Sequence, residues 1–283
     1  MINDFKMSAY IKLLIKTLTR YDLNSNFGEH IPVDEIITRT GFEFGVKYRV
    51  AKLLNRFLSK KNLSLTTYLS PEKLYVDRVE GVAWPAEAET MVGLKRLNNV
   101  AELVYKLLTR KIEGDFVEAG VWRGGVSILI QGILVENGLQ DLKHVYVCDS
   151  FSGLPPQKSK VDRQASMNNS HFLAVPLEKV KSNFAKYDLL QSNVFFIQGW
   201  FDQTLPNLEV EKISLLRIDA DFYESTMDVL NNLYHKVSSG GYIVVDDYMI
   251  DGCRQAVDEF RSRNGIESAL KMIDWTGVYW KKP

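Results

Sequence analysis

The sequence predicts a doubly wound α/β fold: a mostly parallel sheet with helices on both faces, closed by an antiparallel hairpin and preceded by a helical N-terminal extension. Three observations carry this. Five short apolar runs alternate with helical segments between residues 114 and 247, and strands separated by helices pair in parallel. The tail, ALKMIDWTGVYWKKP, holds two strand-like runs around Thr276 and Gly277 with no room for a helix, so it closes as a hairpin at one sheet edge. Residues 1–77 show helical stripes in an otherwise irregular composition.

Taken in order, Tyr10, Leu13, Leu14, Thr17, Leu18 and Tyr21 fall on one helical face. In GVKYRVAKLLNRFLSKK, Val46, Val50, Leu53, Leu54 and Phe57 form an apolar stripe, flanked by Lys47, Arg49, Lys52, Arg56, Lys60 and Lys61. The plain expectation is a docked helix with a solvated basic face; the sharper one is contact with an anionic or membrane-bound substrate. The chain divides near GVAWPAEAETMVG, giving 1–77 as the extension and 78–283 as the main domain. Then come the strands DFVEAG, HVYVCDS, VFFIQG, LLRIDAD and YIVVDD, with helices such as PLEKVKSNFAKYDLL and STMDVLNNLYHKV between them. In the latter Met227, Leu230, Leu233 and Tyr234 share a face, and Ser225 or Thr226 is the expected N-cap.

Composition bounds the function. The 283 residues carry 35 basic and 35 acidic side chains, and a nucleic-acid binder needs a basic surplus. The 46% hydrophobic content is enough for a sizeable core. Cys148 and Cys253 are too few for a disulfide framework or a thiolate zinc site. No apolar run reaches the roughly 18–20 residues of a membrane span, and Lys12 and Lys16 interrupt the start where a signal peptide would be apolar. A soluble cytoplasmic protein is expected.

Four of the strands end in carboxylates, and ligands of such sheets bind beyond the carboxyl ends of the strands. In EAGVWRGG, Gly120 permits a tight turn, and Gly124 and Gly125 let backbone approach a ligand. The spacing is not that of a pyrophosphate cradle. Asp149 follows the second strand, where a ribose diol would be hydrogen-bonded; a helix-capping or surface aspartate is the bland alternative. Together Glu118, Gly120 and Asp149 favour a nucleoside-bearing cofactor. Asp219, Asp221, Asp246 and Asp247 crowd two adjacent strand ends and would repel one another. A divalent cation removes that conflict, and all-oxygen ligands select Mg²⁺, Ca²⁺ or Mn²⁺ over zinc. Loop carboxylates capping the next helix would account for one of the four.

The runs GDFVEAGVWRGG, CDSFSGLP, GWFDQTLP, IDADFYEST and GGYIVVDDY, in this order, resemble the macrocin O-methyltransferase family over about Arg78 to Trp280. WPAEAETMVGLKRLNN resembles the family's segment before the first strand. The resemblance implies a class I, Rossmann-like methyltransferase fold with a seven-stranded sheet. It implies S-adenosylmethionine and Mg²⁺ (or Mn²⁺) as cofactors, and a sugar hydroxyl of an antibiotic-type glycoside or glycan as acceptor. It places Thr90, Met91, Glu118, Ala119, Gly120, Val121, Trp122, Asp149, Ser150, Phe151, Ser152 and Gly153 at the cofactor, with Trp200 and Asp202 lining its pocket. It makes Asp219, Asp246 and Asp247 the metal ligands and Asp221 the general base. The segment KSKVDRQASMNNSHFLAVP and residues 1–77 depart from the family and are expected to meet the acceptor.

The chemistry suits the residues. A sugar hydroxyl must lose its proton to become a nucleophile; a cation stabilises the alkoxide and an aspartate takes the proton. His144, His171 and His235 lack site-like neighbours in the sequence. Three alternatives stay open: a catechol-type methyltransferase acting on an aromatic diol, a nicotinamide oxidoreductase, and a non-catalytic module on the same fold. The apolar N-terminal stripes lead to the expectation of a homo-oligomer.

Overall fold

The computed structural model describes residues 7–20, 29–32, 36–38, 46–69, 71–85, 87–162 and 170–283. It divides into two compact units, Ser8–Leu97 and Asn98–Pro283.

The first unit opens with α1 (Ala9–Thr19), capped by the Ser8 side chain, which accepts from the Ile11 amide at 3.1 Å. Its buried stripe is Ile11, Leu14, Ile15 and Leu18, while Tyr10 and Leu13 are exposed. The expected face is therefore rotated by about one residue. Two adjacent stripes share Leu14 and Leu18, and the one with Ile11 and Ile15 goes inside; Thr19 is buried with it, its hydroxyl donating to the Ile15 carbonyl at 2.9 Å. Tyr21 lies outside the described residues. The Leu18 carbonyl accepts from the Glu89 amide at 2.9 Å, and Arg20 pairs with the Glu89 carboxylate at 2.7 Å. These bonds tie the segment after Trp84 to α1, so this unit runs beyond the composition change at 77.

The same unit carries β1 (Glu29–Pro32), β2 (Ile36–Thr38), α2 (Val46–Leu58), β3 (Thr66–Leu69), α3 (Pro71–Glu80) and β4 (Ala83–Pro85). β1 pairs with β3 and β2 with β4, both antiparallel. Strands this short cannot display a readable alternation, so the sequence showed only the helices. Among the described side chains of α2, Val50, Leu53, Leu54 and Phe57 are exposed, and Asn55 is buried and accepts from the Leu65 amide at 2.6 Å. Periodicity defines a face but not what lies against it, and the expectation of a docked apolar stripe is corrected accordingly. α4 (Leu94–Thr109) follows.

The second unit contains β5 (Asp115–Ala119), α5 (Gly125–Glu136), β6 (Val145–Asp149), α6 (Leu177–Ala185), β7 (Val194–Gln198), α7 (Phe201–Thr204), β8 (Ile213–Ile218), α8 (Tyr223–Leu233), β9 (Val237–Val245), α9 (Asp251–Arg263), β10 (Lys271–Met272) and β11 (Val278–Lys281). They form one seven-stranded sheet in the order β10-β11-β9-β8-β5-β6-β7. β5 to β9 run parallel. β11 is inserted between β9 and β10 and pairs antiparallel with both. This is the class I methyltransferase arrangement, with its hairpin where the tail sequence put it.

The parallel strands are apolar because helices cover them. Leu216, Ile218, Ile243 and Val245 form one core with Leu230, Leu233, Val257, Phe260 and Trp280. Each fully buried Leu or Ile contributes about 1.5–3 kcal/mol. Arg217 is the charged exception on β8, 1% exposed. From β5 the chain winds outward through β6 and β7, then returns to the other side as β8 and β9. That reversal opens a crevice at the carboxyl ends of β5 and β8.

The start of α8 corrects the expected cap. Ser225 and Thr226 lie inside the first helical turn and are buried, and the N-cap is Phe222, which has no capping side chain. The carboxylate of Asp162 accepts from the Tyr223 amide instead, with both oxygens at 3.1 Å. Asp162 also presses on the first turn of α9: a Cβ at Gly252 would stand 1.9 Å from its Oδ1.

Candidate active site

The turn after β5 is shaped by its crossing over β8. Gly120 has φ 88°, and a Cβ there would lie 1.8 Å from the Asp219 carbonyl oxygen. Only glycine combines that conformation with that approach. The Gly120 amide donates to the Cys148 carbonyl at 2.8 Å, and the Asp219 amide donates to the Ala119 carbonyl at 2.8 Å. The ladder thus carries the turns right to the sheet's end.

Within this turn Glu118 points inward. It is 1% exposed. Its Oε1 lies 2.6 Å from Arg217 Nη1 and its Oε2 accepts from the Ser127 hydroxyl of α5. Burial pushes its pKa up to about 7, against the pull of Arg217 and Ser127. Ala119 and Val121 are buried, which leaves mainly backbone to face a ligand. Trp122 has φ 48°, and its indole donates to the Phe172 carbonyl at 2.9 Å while Arg123 stacks over its ring.

Asp149 is neither a surface residue nor a helix cap. Its Oδ2 accepts from the Val121 amide at 2.8 Å and its Oδ1 from the Phe151 amide at 2.8 Å. It therefore staples the first turn to the second. Burial raises its pKa, opposed by the amides of Val121, Phe151 and Trp122. Two carboxylate oxygens offer about four acceptor sites, so the staple leaves capacity for a diol. Ser150 donates to the Gly153 carbonyl at 2.7 Å and accepts from the Ser152 amide at 3.0 Å, closing the second turn. Phe151 (φ 53°) and Gly153 (φ 94°) are left-handed. Trp200 is the N-cap of α7, and Asp202 lies in its first turn. Thr90 and Met91 are buried in the first unit, where Thr90 Oγ1 accepts from the Val92 amide at 3.0 Å.

The acidic half is organised differently. Asp219, Asp221 and Asp247 each offer one carboxylate oxygen, and these lie within 4.8 Å of one another. Asp221 holds φ 56°, a left-handed conformation that costs a non-glycine residue of order 1–3 kcal/mol and concentrates at functional sites. Asp246 is not in that group. Its Oδ1 lies 2.6 Å from Arg217 Nη2, which also reaches Asp219 Oδ2 at 3.0 Å. The Asp246 carbonyl accepts from Thr276 Oγ1 at 3.0 Å. The expected ligand set of Asp219, Asp246 and Asp247 is thus seen as two ligand-ready carboxylates with Asp221 beside them and Asp246 turned onto Arg217. Burial alone would lower the Arg217 pKa, but Asp246, Asp219 and Glu118 outweigh it and raise it.

The all-oxygen cluster fits a hard divalent cation. The Arg217 guanidinium faces Glu118, Asp219 and Asp246, and the cluster of Asp219, Asp221 and Asp247 adjoins it through Asp219. Arg217 was legible as a lone charge inside the apolar run LLRID. Asp162 had no local signal, since its partner Tyr223 is 61 residues away. His144 bonds Asp115 at the amino end of β6, away from these turns. Cys148 and Cys253 are buried and free, and burial pushes the Cys253 thiol up to about 12. Residues 163–169, within the expected acceptor segment, lie outside the described residues. Among the described residues no helix is long and apolar enough to cross a membrane.

Comparison with known proteins bears on the family. The family profile described as Macrocin-O-methyltransferase (TylF) matches residues 7–282. A demethyldecarbamoylnovobiocin O-methyltransferase of Streptomyces niveus is 46% identical over 210 residues, 72% of this chain and 80% of that protein. An 8-demethyl-8-(2,3-dimethoxy-alpha-L-rhamnosyl)-tetracenomycin-C 4'-O-methyltransferase of Streptomyces olivaceus is 45% identical over 208 residues, 72% of this chain and 79% of that protein. The solved structure of the O-methyltransferase NovP superposes with a TM-score of 0.78 at 38% identity, covering 96% of this chain and 98% of that one.

Proposed function

The chain belongs to the macrocin O-methyltransferase family, and from that premise we propose that it methylates a sugar hydroxyl of a glycosylated natural product, using S-adenosylmethionine and a divalent cation, Mg²⁺ or Mn²⁺. The observation that carries the reading is the cluster of Asp219, Asp221 and Asp247 within 4.8 Å, at strand ends adjoining the glycine turn. The sugar acceptor rests on the relatives' names, one of which specifies a rhamnosyl-bearing substrate.

When bound, S-adenosylmethionine supplies an electrophilic methyl group, and the cation would acidify the acceptor hydroxyl. The chain's residues do the rest. Gly120 to Trp122 and Ser150 to Gly153 present backbone to the cofactor, and Asp149 fixes both turns and accepts from the ribose. Trp200 and Asp202 line the pocket in the family pattern. Asp219 and Asp247 hold the cation, with Asp246 joining them from its place on Arg217. Asp221 takes the hydroxyl proton, a role typically worth about 10²–10⁴-fold. The two turns would hold the cofactor's methyl group toward that hydroxyl.

The test is an acceptor panel of glycosides and aromatic diols incubated with methyl-labelled S-adenosylmethionine and read by mass spectrometry. Label on a sugar oxygen supports the reading; label on aromatic diols alone overturns it in favour of a catechol-type enzyme. We also propose a homo-oligomer, favoured by the exposed α2 stripe. Light scattering at micromolar concentration that gives only the monomer mass rejects it.

A further inference from the structure

We infer that Arg217 is a positioning residue: it fixes Asp219 and Asp246 for the cation and locks their turns to the cofactor turn through Glu118. The inference rests on the cation reading above. Arg217 and Glu118 are register partners on adjacent strands, β8 and β5, and Arg217 faces Val244 of β9 on the other side. Its side chain is 1% exposed, as are those of Glu118 and Asp246.

The guanidinium divides its nitrogens. Nη1 serves Glu118 at 2.6 Å, while Nη2 serves Asp246 at 2.6 Å and Asp219 at 3.0 Å. A planar fork sets the angle between its partners, which a lysine ammonium cannot do. The bonds continue past Glu118 to Ser127 of α5, the helix that begins where the cofactor turn ends. A continuous path therefore runs from α5 through Glu118 and Arg217 to the ends of β8 and β9. Buried ion clusters are often no more stabilising than apolar residues of the same size, so stability alone is a poor reason for a guanidinium in the middle of β8. Geometry is the better reason: Asp219 has a side chain 21% exposed, and Arg217 restricts the positions it can take.

The experiment measures Mn²⁺ binding by electron paramagnetic resonance, with Mn²⁺ alone and no acceptor or cofactor, and S-adenosylmethionine binding separately by calorimetry. Wild type, Arg217→Lys and Glu118→Gln are compared. Arg217→Lys keeps the charge and loses the fork. It is expected to bind Mn²⁺ about 10- to 100-fold more weakly, the usual effect of removing an outer-shell partner, while S-adenosylmethionine affinity falls much less. Wild-type Mn²⁺ affinity in folded Arg217→Lys overturns the inference, and so does an equal loss of both ligands, which marks a general collapse of the sheet end. Should Arg217→Lys fail to fold, Glu118→Gln carries the test. It keeps volume and hydrogen bonding, and weakened Mn²⁺ binding supports the inference where unchanged binding overturns it. Absence of Mn²⁺ binding in wild type overturns the cation reading itself, a distinct result from the failure of Arg217 alone.

Discussion

The two halves of the sheet's carboxyl end use carboxylates in opposite ways. After β5 and β6, Glu118 and Asp149 are engaged by donors: Arg217 and Ser127 for one, the Val121 and Phe151 amides for the other. After β8 and β9, Asp219, Asp221 and Asp247 gather on one another. A strand ending in an acidic residue therefore has two meanings. Where amides and hydroxyls converge on it, the carboxylate is a structural staple that shapes a turn. Where other carboxylates converge on it, the proposed function gives it a cation to hold or a proton to take. Arg217 stands between the two halves and contacts both.

The strongest way to sharpen this contrast is Asp221→Asn. The amide keeps shape and hydrogen bonding but takes no proton, so kcat should fall by about 10²–10⁴-fold while Mn²⁺ and S-adenosylmethionine still bind. Steady-state kinetics with added Mg²⁺ should show no rescue; recovery on adding Mg²⁺ would make Asp221 a ligand. Next comes Gly120→Ala, which attacks the crossing of the halves. A left-handed backbone and a Cβ 1.8 Å from the Asp219 carbonyl should together destabilise by about 2–5 kcal/mol, from strain and overpacking. A denaturant midpoint equal to wild type would contradict the tight crossing.

Smaller effects follow on the staple side. Asp149→Ala removes the acceptor for two amides and, in the proposed function, for the ribose. S-adenosylmethionine affinity should fall by about 1.5–3 kcal/mol, and calorimetry showing no change would remove Asp149 from the site. The smallest effect is a pH slope. Burial raises the Asp162 pKa from 3.8 to about 6. A carboxyl whose folded pKa is raised contributes stability in full below its ordinary value and loses it as pH climbs through the folded one. Wild type should therefore lose some thermal stability between about pH 4 and pH 6 that Asp162→Asn does not lose. Parallel melting curves for the two proteins across that window would refute the assignment.

Much of the second unit was legible because its signals are local or periodic. Runs such as VYVCD and LLRID bury both faces and so read as apolar without alternation, and the turn residues Gly120 and Asp149 stand at strand ends. What was not legible depends on partners distant in sequence. The α1 stripe has two registers in the sequence, and burial chose the one with Ile11 and Ile15. Ser225 and Thr226 are the local candidates for the cap of α8, yet the bond comes from Asp162, 61 residues upstream of Tyr223. The four aspartates were found as a set, but their division, Asp246 onto Arg217 and Asp221 toward Asp219 and Asp247, depends on side-chain directions that spacing does not fix.

The most direct measurement of the central claim is methyl transfer by the wild-type enzyme to a glycoside acceptor before and after EDTA treatment, followed by Mg²⁺ or Mn²⁺ addition. Activity should fall to background in EDTA and return with either cation. Full activity in EDTA would contradict it and remove a bound cation as the reason Asp219, Asp221 and Asp247 gather.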